Sequence, residues 1–386
     1  MRSMPARGDT ASLRLLVHVV PGLADVAADE IAGAVPGAEL VGAWKDFDER
    51  TSLLEYRTAG DPSQWLALGT VEDVFALAVR ARSLHTDRSG LHELAAATLT
   101  SKHLERAMRA YTACRGGAPR TFRVVARKSG THTYRRIDAQ RAVEGALRTR
   151  LPKLHPVADD ADAEFWLSVI GREALVGLRL STGRMRGHAY PFDSLPASLK
   201  PTVARAMVHL SRPRAADIVL DPLCGAGTLL IERALAAEYS ALYGGDRDPS
   251  AVAMARANAR AAGIAIDVQE WDTLALTLPA KSVDVVLTNP PFGKKVELHG
   301  DPYAFYGRLV TELQRVLRPG GRLVLITSQA DAFRRSVAAL PSPFIVRRRV
   351  PVLVRGERAT IFVATAATEQ TGTLPSTNGE PADCHD

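Results

Sequence analysis

Two stretches of this chain carry residue types that can do chemistry together. One is Asn289-Pro290-Pro291-Phe292, directly after the apolar run Val283-Asp284-Val285-Val286-Leu287-Thr288; the other is the glycine loop Asp221-Pro222-Leu223-Cys224-Gly225-Ala226-Gly227-Thr228. Asparagine Oδ1 and the neighbouring carbonyl of Pro290 can both accept hydrogen bonds from one NH2 group and hold its nitrogen toward an electrophilic carbon. The amine of guanine, adenine or a carboxamide has its lone pair delocalised into a π system, so it attacks only when acceptors on its hydrogens favour a pyramidal nitrogen. Asparagine provides that acceptor without adding net charge. The electrophile that needs least help is a sulfonium methyl, for which a protein mainly aligns two groups and favours the charge arriving on nitrogen. No dedicated general base is strictly required. Phe292 offers a ring face on which a flat base stacks, and the proline pair fixes φ so that the carbonyl stays aimed. Asn-Pro is also an ordinary turn dipeptide, so the motif takes its meaning from its surroundings.

Those surroundings read as alternating strands and helices. Residues 216–220 form a buried strand that stops at Asp221, and Leu229 to Leu235 read as a helix, so Gly225 and Gly227 lie at a strand-to-helix turn. A nucleotide-like ligand meets exposed backbone N–H groups at such a turn. The loop lacks the Lys-Ser/Thr ending of a phosphate loop and does not follow G-x-G-x-x-G spacing. The next strand, 241–245, ends at Asp246, where an acidic residue can bond both ribose hydroxyls of an adenosine; Asp248 competes for that role. A helix over 250–262 and a third strand over 264–268 precede Asp272, a candidate acceptor for an adenine amino group. The fourth strand, 283–288, delivers Asn289 at its C-terminal end, the edge where open α/β sheets bind ligands. Donor and acceptor sites therefore share one rim. Pro319-Gly320-Gly321 is expected to end a helix over 303–317, residues 322–327 to supply a fifth strand, and 344–346 with 359–363 a closing hairpin.

With these residues in place, the chain resembles the class I S-adenosylmethionine-dependent methyltransferases, and more narrowly the THUMP-domain RNA guanine-N2 methyltransferases. The likeness rests on the loop from Asp221 to Thr228, the strand end Gly244-Gly245-Asp246, and Asn289-Pro290-Pro291-Phe292-Gly293. Upstream, residues 121–130 look like the strand opening a THUMP domain, Val176 to Leu180 like its closing strand, and Arg184-Met185-Arg186-Gly187-His188 like a basic segment of the family. Pro21-Gly22-Leu23 with Ala27-Ala28-Asp29-Glu30 resembles the ferredoxin-like domain that precedes THUMP. The resemblance implies a Rossmann-like α/β catalytic domain behind an α+β ferredoxin-like plus THUMP region. It implies S-adenosyl-L-methionine held by Asp221, Gly225, Gly227, Thr228, Asp246 and Asp272, with Asn289, Pro290 and Phe292 at the reacting amine. Members with Asn-Pro-Pro-Phe resemble the enzymes of acceptor-stem position six, whereas position-ten enzymes usually carry Asp-Pro-Pro-Tyr, so the asparagine tilts the expectation to position six.

Composition is consistent with that architecture. At 386 residues, 46% hydrophobic and 24% charged, the chain can form two or three domains with real cores. No run approaches the roughly 18 apolar residues of a membrane helix, and the start lacks a signal core, which points to the cytoplasm. Cys114, Cys224 and Cys384 are scattered and odd in number, with no zinc spacing, so neither a disulfide framework nor a metal is expected. Carbon methylation through a thiolate is disfavoured, because Cys224 sits in the donor loop and faces the wrong ligand.

The net charge of +7 is unevenly spread: residues 101–150 hold thirteen Lys/Arg against three Asp/Glu. Such a block is what a phosphate backbone asks of a protein, and tRNA is the expected partner. Arg123, Arg127, Lys128, Arg135, Arg136, Arg184 and Arg186 are the candidate contacts. His132 and Tyr134 interleave with them, as a stacking surface or as core. Along the chain, 1–12 and 367–386 read as disordered, 13–90 as the ferredoxin-like domain, 91–183 as THUMP, 184–213 as a linker and 214–366 as the methyltransferase domain. Within these, strands are expected over 13–20 and 51–56, strand or helix over 71–79, helices over 23–34 and 200–210, and one connecting helix over 91–111. Three functions remain in view: guanine-N2 methylation of tRNA, with position ten or ribosomal RNA as variants; methylation of another amine such as DNA adenine or a protein glutamine; and a non-catalytic RNA-binding assembly factor. Oligomeric state is not legible.

Overall fold

In the computed structural model, residues 12–45, 51–183, 185, 198–291, 301–342, 344–354 and 356–367 are described. They form two sheets, each with its own core. The first has eight strands: β1 (Leu13–Val19), β2 (Glu39–Lys45), β3 (Thr51–Thr58), β4 (Val71–Ala81), β5 (Thr121–Ser129), β6 (His155–Pro156), β7 (Ala163–Ile170) and β8 (Glu173–Arg179), in the order β2-β3-β1-β4-β8-β7-β5-β6. The stretches 13–90 and 91–183, expected as two domains, thus share one sheet, joined where β4 pairs antiparallel with β8. One core runs beneath both, from Leu15 and Val17 to Phe165 and Val176. Helices α1 (Ala24–Ala34), α2 (Ser89–Thr100), α3 (Leu104–Arg115) and α4 (Arg136–Arg150) contribute to it.

The strict alternation along β7 explains its placement. Ala163, Phe165, Leu167 and Val169 are buried, while Glu164, Trp166, Ser168 and Ile170 are only partly covered, the period-two pattern of a strand with one core face. The segment 91–111, expected as one helix, is two. The break falls at Ser101, whose hydroxyl donates to the carbonyl of Ala78 at 2.6 Å, so a bond to β4 outweighs continuation of the helix.

The second sheet has seven strands: β9 (Ile218–Asp221), β10 (Ala241–Asp246), β11 (Asp267–Glu270), β12 (Val283–Thr288), β13 (Leu317–Thr327), β14 (Ile345–Val354) and β15 (Glu357–Thr365), in the order β11-β10-β9-β12-β13-β15-β14. The first five are parallel, and β15 pairs antiparallel with β13. Helices α5 (Pro201–Leu210), α6 (Thr228–Ala236), α7 (Pro249–Ala261), α8 (Pro302–Val316) and α9 (Ala330–Ala338) complete this unit. Two expectations shift. The third strand begins at Asp267, with Ile264 and Ile266 packing on the core ahead of it, and Pro319-Gly320-Gly321 lies inside β13, which starts directly after α8.

The two units meet at a tight turn. Pro21 accepts a hydrogen bond from the Leu353 amide at 3.1 Å, and Gly22 has φ +96. A Cβ on Gly22 would lie 2.1 Å from the Pro351 carbonyl oxygen, so only glycine allows this approach. Val20, Leu23 and Val26 join the core of the second unit with Val203, Met207, Val350 and Val352.

Candidate active site

Strand order in the second sheet reverses between β9 and β12, which neighbour each other while their chains continue to opposite sides. Such a switch point opens a crevice at the C-terminal strand ends. Asp221 ends β9, Asp246 ends β10, Asp272 follows β11 and Asn289 follows β12, so sheet geometry brings four expected residues to one rim.

Asp221 is 1% exposed. Burial pushes its carboxyl up to about 8, against the Leu223 amide that donates to it at 3.2 Å, and the nearby Asp246 charge adds to the rise. The turn beyond it is left-handed at Gly225 (φ +51) and Gly227 (φ +84). The Gly227 N–H donates to the Cys224 carbonyl at 2.8 Å, and Thr228 opens α6, buried. The Gly225 N–H donates to one Asp246 carboxylate oxygen at 3.1 Å, and the Asp248 N–H to the other at 3.1 Å. Asp248 itself caps α7 through the Ser250 N–H at 2.8 Å, so of the two competing acids Asp246 is the one on the glycine turn. Asp272 is exposed and accepts from the Leu274 N–H at 2.9 Å, a local turn that leaves most of its carboxylate free to accept.

Asn289 is half-buried, and its Oδ1 is buried with no hydrogen-bond partner among the described residues. A buried amide oxygen without a donor is unfavourable unless a ligand supplies one. Pro290 beside it is buried, while Phe292 lies outside the described residues. Burial raises the Cys224 thiol well above its ordinary range, which keeps it protonated and unsuited to nucleophilic attack.

Two supports for this rim were not read from the sequence. Trp271 packs so closely on Gly245 that a Cβ there would lie 1.9 Å from its ring, and its indole N–H donates to the Pro222 carbonyl at 3.2 Å. Asn258, buried inside α7, donates to the Ala226 carbonyl at 2.9 Å and fixes the glycine turn from below. A polar residue at a core-facing helical position was the available signal for Asn258; the tryptophan depends on register across strands and had none.

A family model described as RMKL-like, methyltransferase domain, matches residues 189–343. The chain is 30% identical over 282 residues to bovine tRNA (guanine(6)-N(2))-methyltransferase THUMP3, covering 68% of this chain and 54% of that protein. It is 29% identical over 348 residues to tRNA (guanine(6)-N2)-methyltransferase of Thermus thermophilus, covering 89% of this chain and 96% of that one. The crystal structure of TrmN from Thermus thermophilus superposes with a TM-score of 0.76 at 27% identity, over 92% of this chain and 99% of that chain. Residues 189–343 thus match a methyltransferase domain, and the chain as a whole shares its fold with TrmN. It spans about half the length of the bovine and mouse relatives.

The expected basic residues fall unevenly on the strand-rich N-terminal unit, the part of the chain expected to carry a THUMP domain. Arg123 is held by Glu164 at 2.8 Å and Asp159 at 3.2 Å, which ties its charge into the sheet. Arg127 is exposed and stacks over the Trp166 ring at 4.8 Å, and Lys128 lies 5.9 Å from the Tyr134 centroid. Tyr134 is 3% exposed, so its ring belongs to the core. Arg135 and Arg136 are exposed at the start of α4, with Arg136 donating to the Ala126 carbonyl at 3.1 Å. Arg184 and Arg186 lie outside the described residues. Among those described, no helix is long and apolar enough to cross a membrane.

Proposed function

We propose that this protein transfers the methyl group of S-adenosyl-L-methionine to the exocyclic N2 amine of a guanosine in tRNA, at position six of the acceptor stem. The observation that carries the reading is the unpartnered, buried Oδ1 of Asn289 at the strand end beside the glycine turn. The residues present suit the donor. Asp246 has carboxylate lone pairs left after its two backbone bonds, enough for ribose hydroxyls, and the left-handed glycines keep side chains out of the space above the turn. When bound, the sulfonium supplies an electrophilic methyl carbon.

The chain's own residues do the rest. Asn289 Oδ1 and the Pro290 carbonyl accept the two amine hydrogens, which localises the nitrogen lone pair and aims it along the line of transfer. Phe292 stacks on the base. Unpairing and flipping the guanosine costs a few kcal/mol, and stacking of about 1–3 kcal/mol offsets much of that. Cations of the N-terminal unit, Arg127 and Lys128 on β5 and Arg135 and Arg136 at the start of α4 among them, bind the phosphate backbone. The names of the bovine and Thermus relatives support both the N2 atom and position six. Work on tRNA in the cytoplasm completes the reading.

The test is incubation with labelled donor and total tRNA, ribosomal RNA or DNA, followed by mass spectrometry of the digested RNA. N2-methylguanosine at position six of tRNA is the expected product. Label confined to DNA or to protein would contradict the assignment.

A further inference from the structure

One aromatic residue of α8 is left exposed where Phe305 and Tyr306 of the same helix turn to the core. Tyr303 is the second residue of α8 and is 43% exposed, whereas Tyr306, Leu309 and Val310 of that helix are fully buried. Its position is fixed: Pro302 occupies the first helical site and Asp301 accepts the Tyr303 N–H at 3.1 Å. Across from it, Arg335 of α9 lays its guanidinium 5.3 Å from the Tyr303 centroid. Arg335 is exposed, and among the described residues no carboxylate pairs with it, while its neighbour Arg334 is paired with Asp331 at 3.1 Å.

Topology sets this pair at the same edge of the sheet as Asn289. Helix α8 is the next described element after β12 and Asn289, and α9 starts just after β13, the parallel neighbour of β12. Both helices begin at the C-terminal strand ends, where the glycine turn and Asn289 also stand. One face of the Tyr303 ring carries Arg335, and the residue keeps 43% of its surface exposed. A nucleotide next to a flipped one loses its stacking neighbour, and an aromatic plane at the rim replaces it. A guanidinium in contact with that plane adds a planar fork of N–H donors matched to a phosphate.

We propose that Tyr303 and Arg335 form a stacking platform for the RNA nucleotide adjacent to the methylated one, the ring taking its base and the guanidinium its phosphate. The proposal rests on the RNA reading above and deepens it by naming a second substrate contact.

The experiment measures KM for unmodified tRNA, KM for S-adenosylmethionine, tRNA affinity by filter binding, and Tm, in the wild type and in Tyr303→Ala, Tyr303→Phe and Arg335→Ala. Tyr303→Ala should raise the tRNA KM and Kd about tenfold, the size expected for one lost base stack, with the donor KM unchanged. Tyr303→Phe should restore both. Arg335→Ala should raise the tRNA KM and flatten its dependence on salt. Unchanged tRNA values in Tyr303→Ala would overturn the platform, as would a rise in both KM values with a lowered Tm, which marks a purely structural contact. Failure of the wild type to methylate any tRNA guanosine would instead contradict the proposed function; filter binding still decides the platform in that case.

Discussion

One carboxylate oxygen of Asp246 lies 3.1 Å from the backbone nitrogen of Gly225, so the end of β10 holds the glycine turn that follows β9. The same side chain therefore shapes the loop and keeps acceptor capacity for a ligand.

Asp246→Ala removes both roles. Donor affinity, measured by isothermal titration calorimetry, should fall about 10- to 100-fold, the range for losing charge-assisted hydrogen bonds of about 1.5–3 kcal/mol. Unchanged affinity would show that the carboxylate serves the loop alone.

Asp221 gives a pH signature. Its carboxyl is pushed up to about 8 in the folded protein, from an ordinary value of 3.8. The unfolded chain releases this proton near pH 4 while the folded chain keeps it, so the stability present below about pH 4 is lost as pH rises toward about 8. Asp221→Asn removes that penalty and retains an acceptor for the Leu223 N–H. The variant should gain stability over the wild type, more at pH 8 than at pH 5, by at most about 4 kcal/mol for three pH units. Denaturant titrations of the ligand-free protein at both pH values check this, and an equal difference at both would contradict it.

Gly245 has no room for a side chain, since a Cβ there meets the Trp271 ring at 1.9 Å. Gly245→Ala should destabilise the protein by about 1–3 kcal/mol through overpacking. Adding Trp271→Leu should recover part of that loss in the same denaturation experiment, and no recovery would place the strain elsewhere.

The basic residues divide by their partners. Arg127 and Lys128 touch ring faces, so replacing both with alanine should weaken all tRNAs alike and lower the slope of log affinity against log salt by about 2. Arg123 bridges Glu164 and Asp159, and Arg123→Ala should act on stability more than on the salt slope. Filter binding across a salt series separates the two classes, and a loss confined to one tRNA would argue against backbone recognition.

The methyltransferase sheet was legible because its parallel strands are short apolar runs ending at loops of chemistry-bearing residues, as Val283 to Thr288 ends at Asn289. The closing hairpin was read too short, since β14 carries arginines at positions 347–349 that mask its alternation. Helix α4 escaped for a related reason: four of its fifteen residues are arginines around a narrow buried stripe of Ala139, Val143, Ala146 and Leu147. The break at Ser101 follows from a bond to β4, with neither proline nor glycine to announce it. At the site, Asp221, Asp246 and Asn289 could be named from strand ends alone, whereas the Trp271 contact with Gly245 arises only when the β10 and β11 ends lie side by side.

The most direct measurement is single-turnover methylation of unmodified tRNA by Asn289→Ala, with donor and tRNA affinities determined on the same preparation. Loss of turnover by at least about 100-fold with both affinities kept is the expected result, because the amide oxygen acts on the amine at the moment of transfer. Turnover at the wild-type level, or a loss accounted for by weaker binding, would contradict the role of that oxygen.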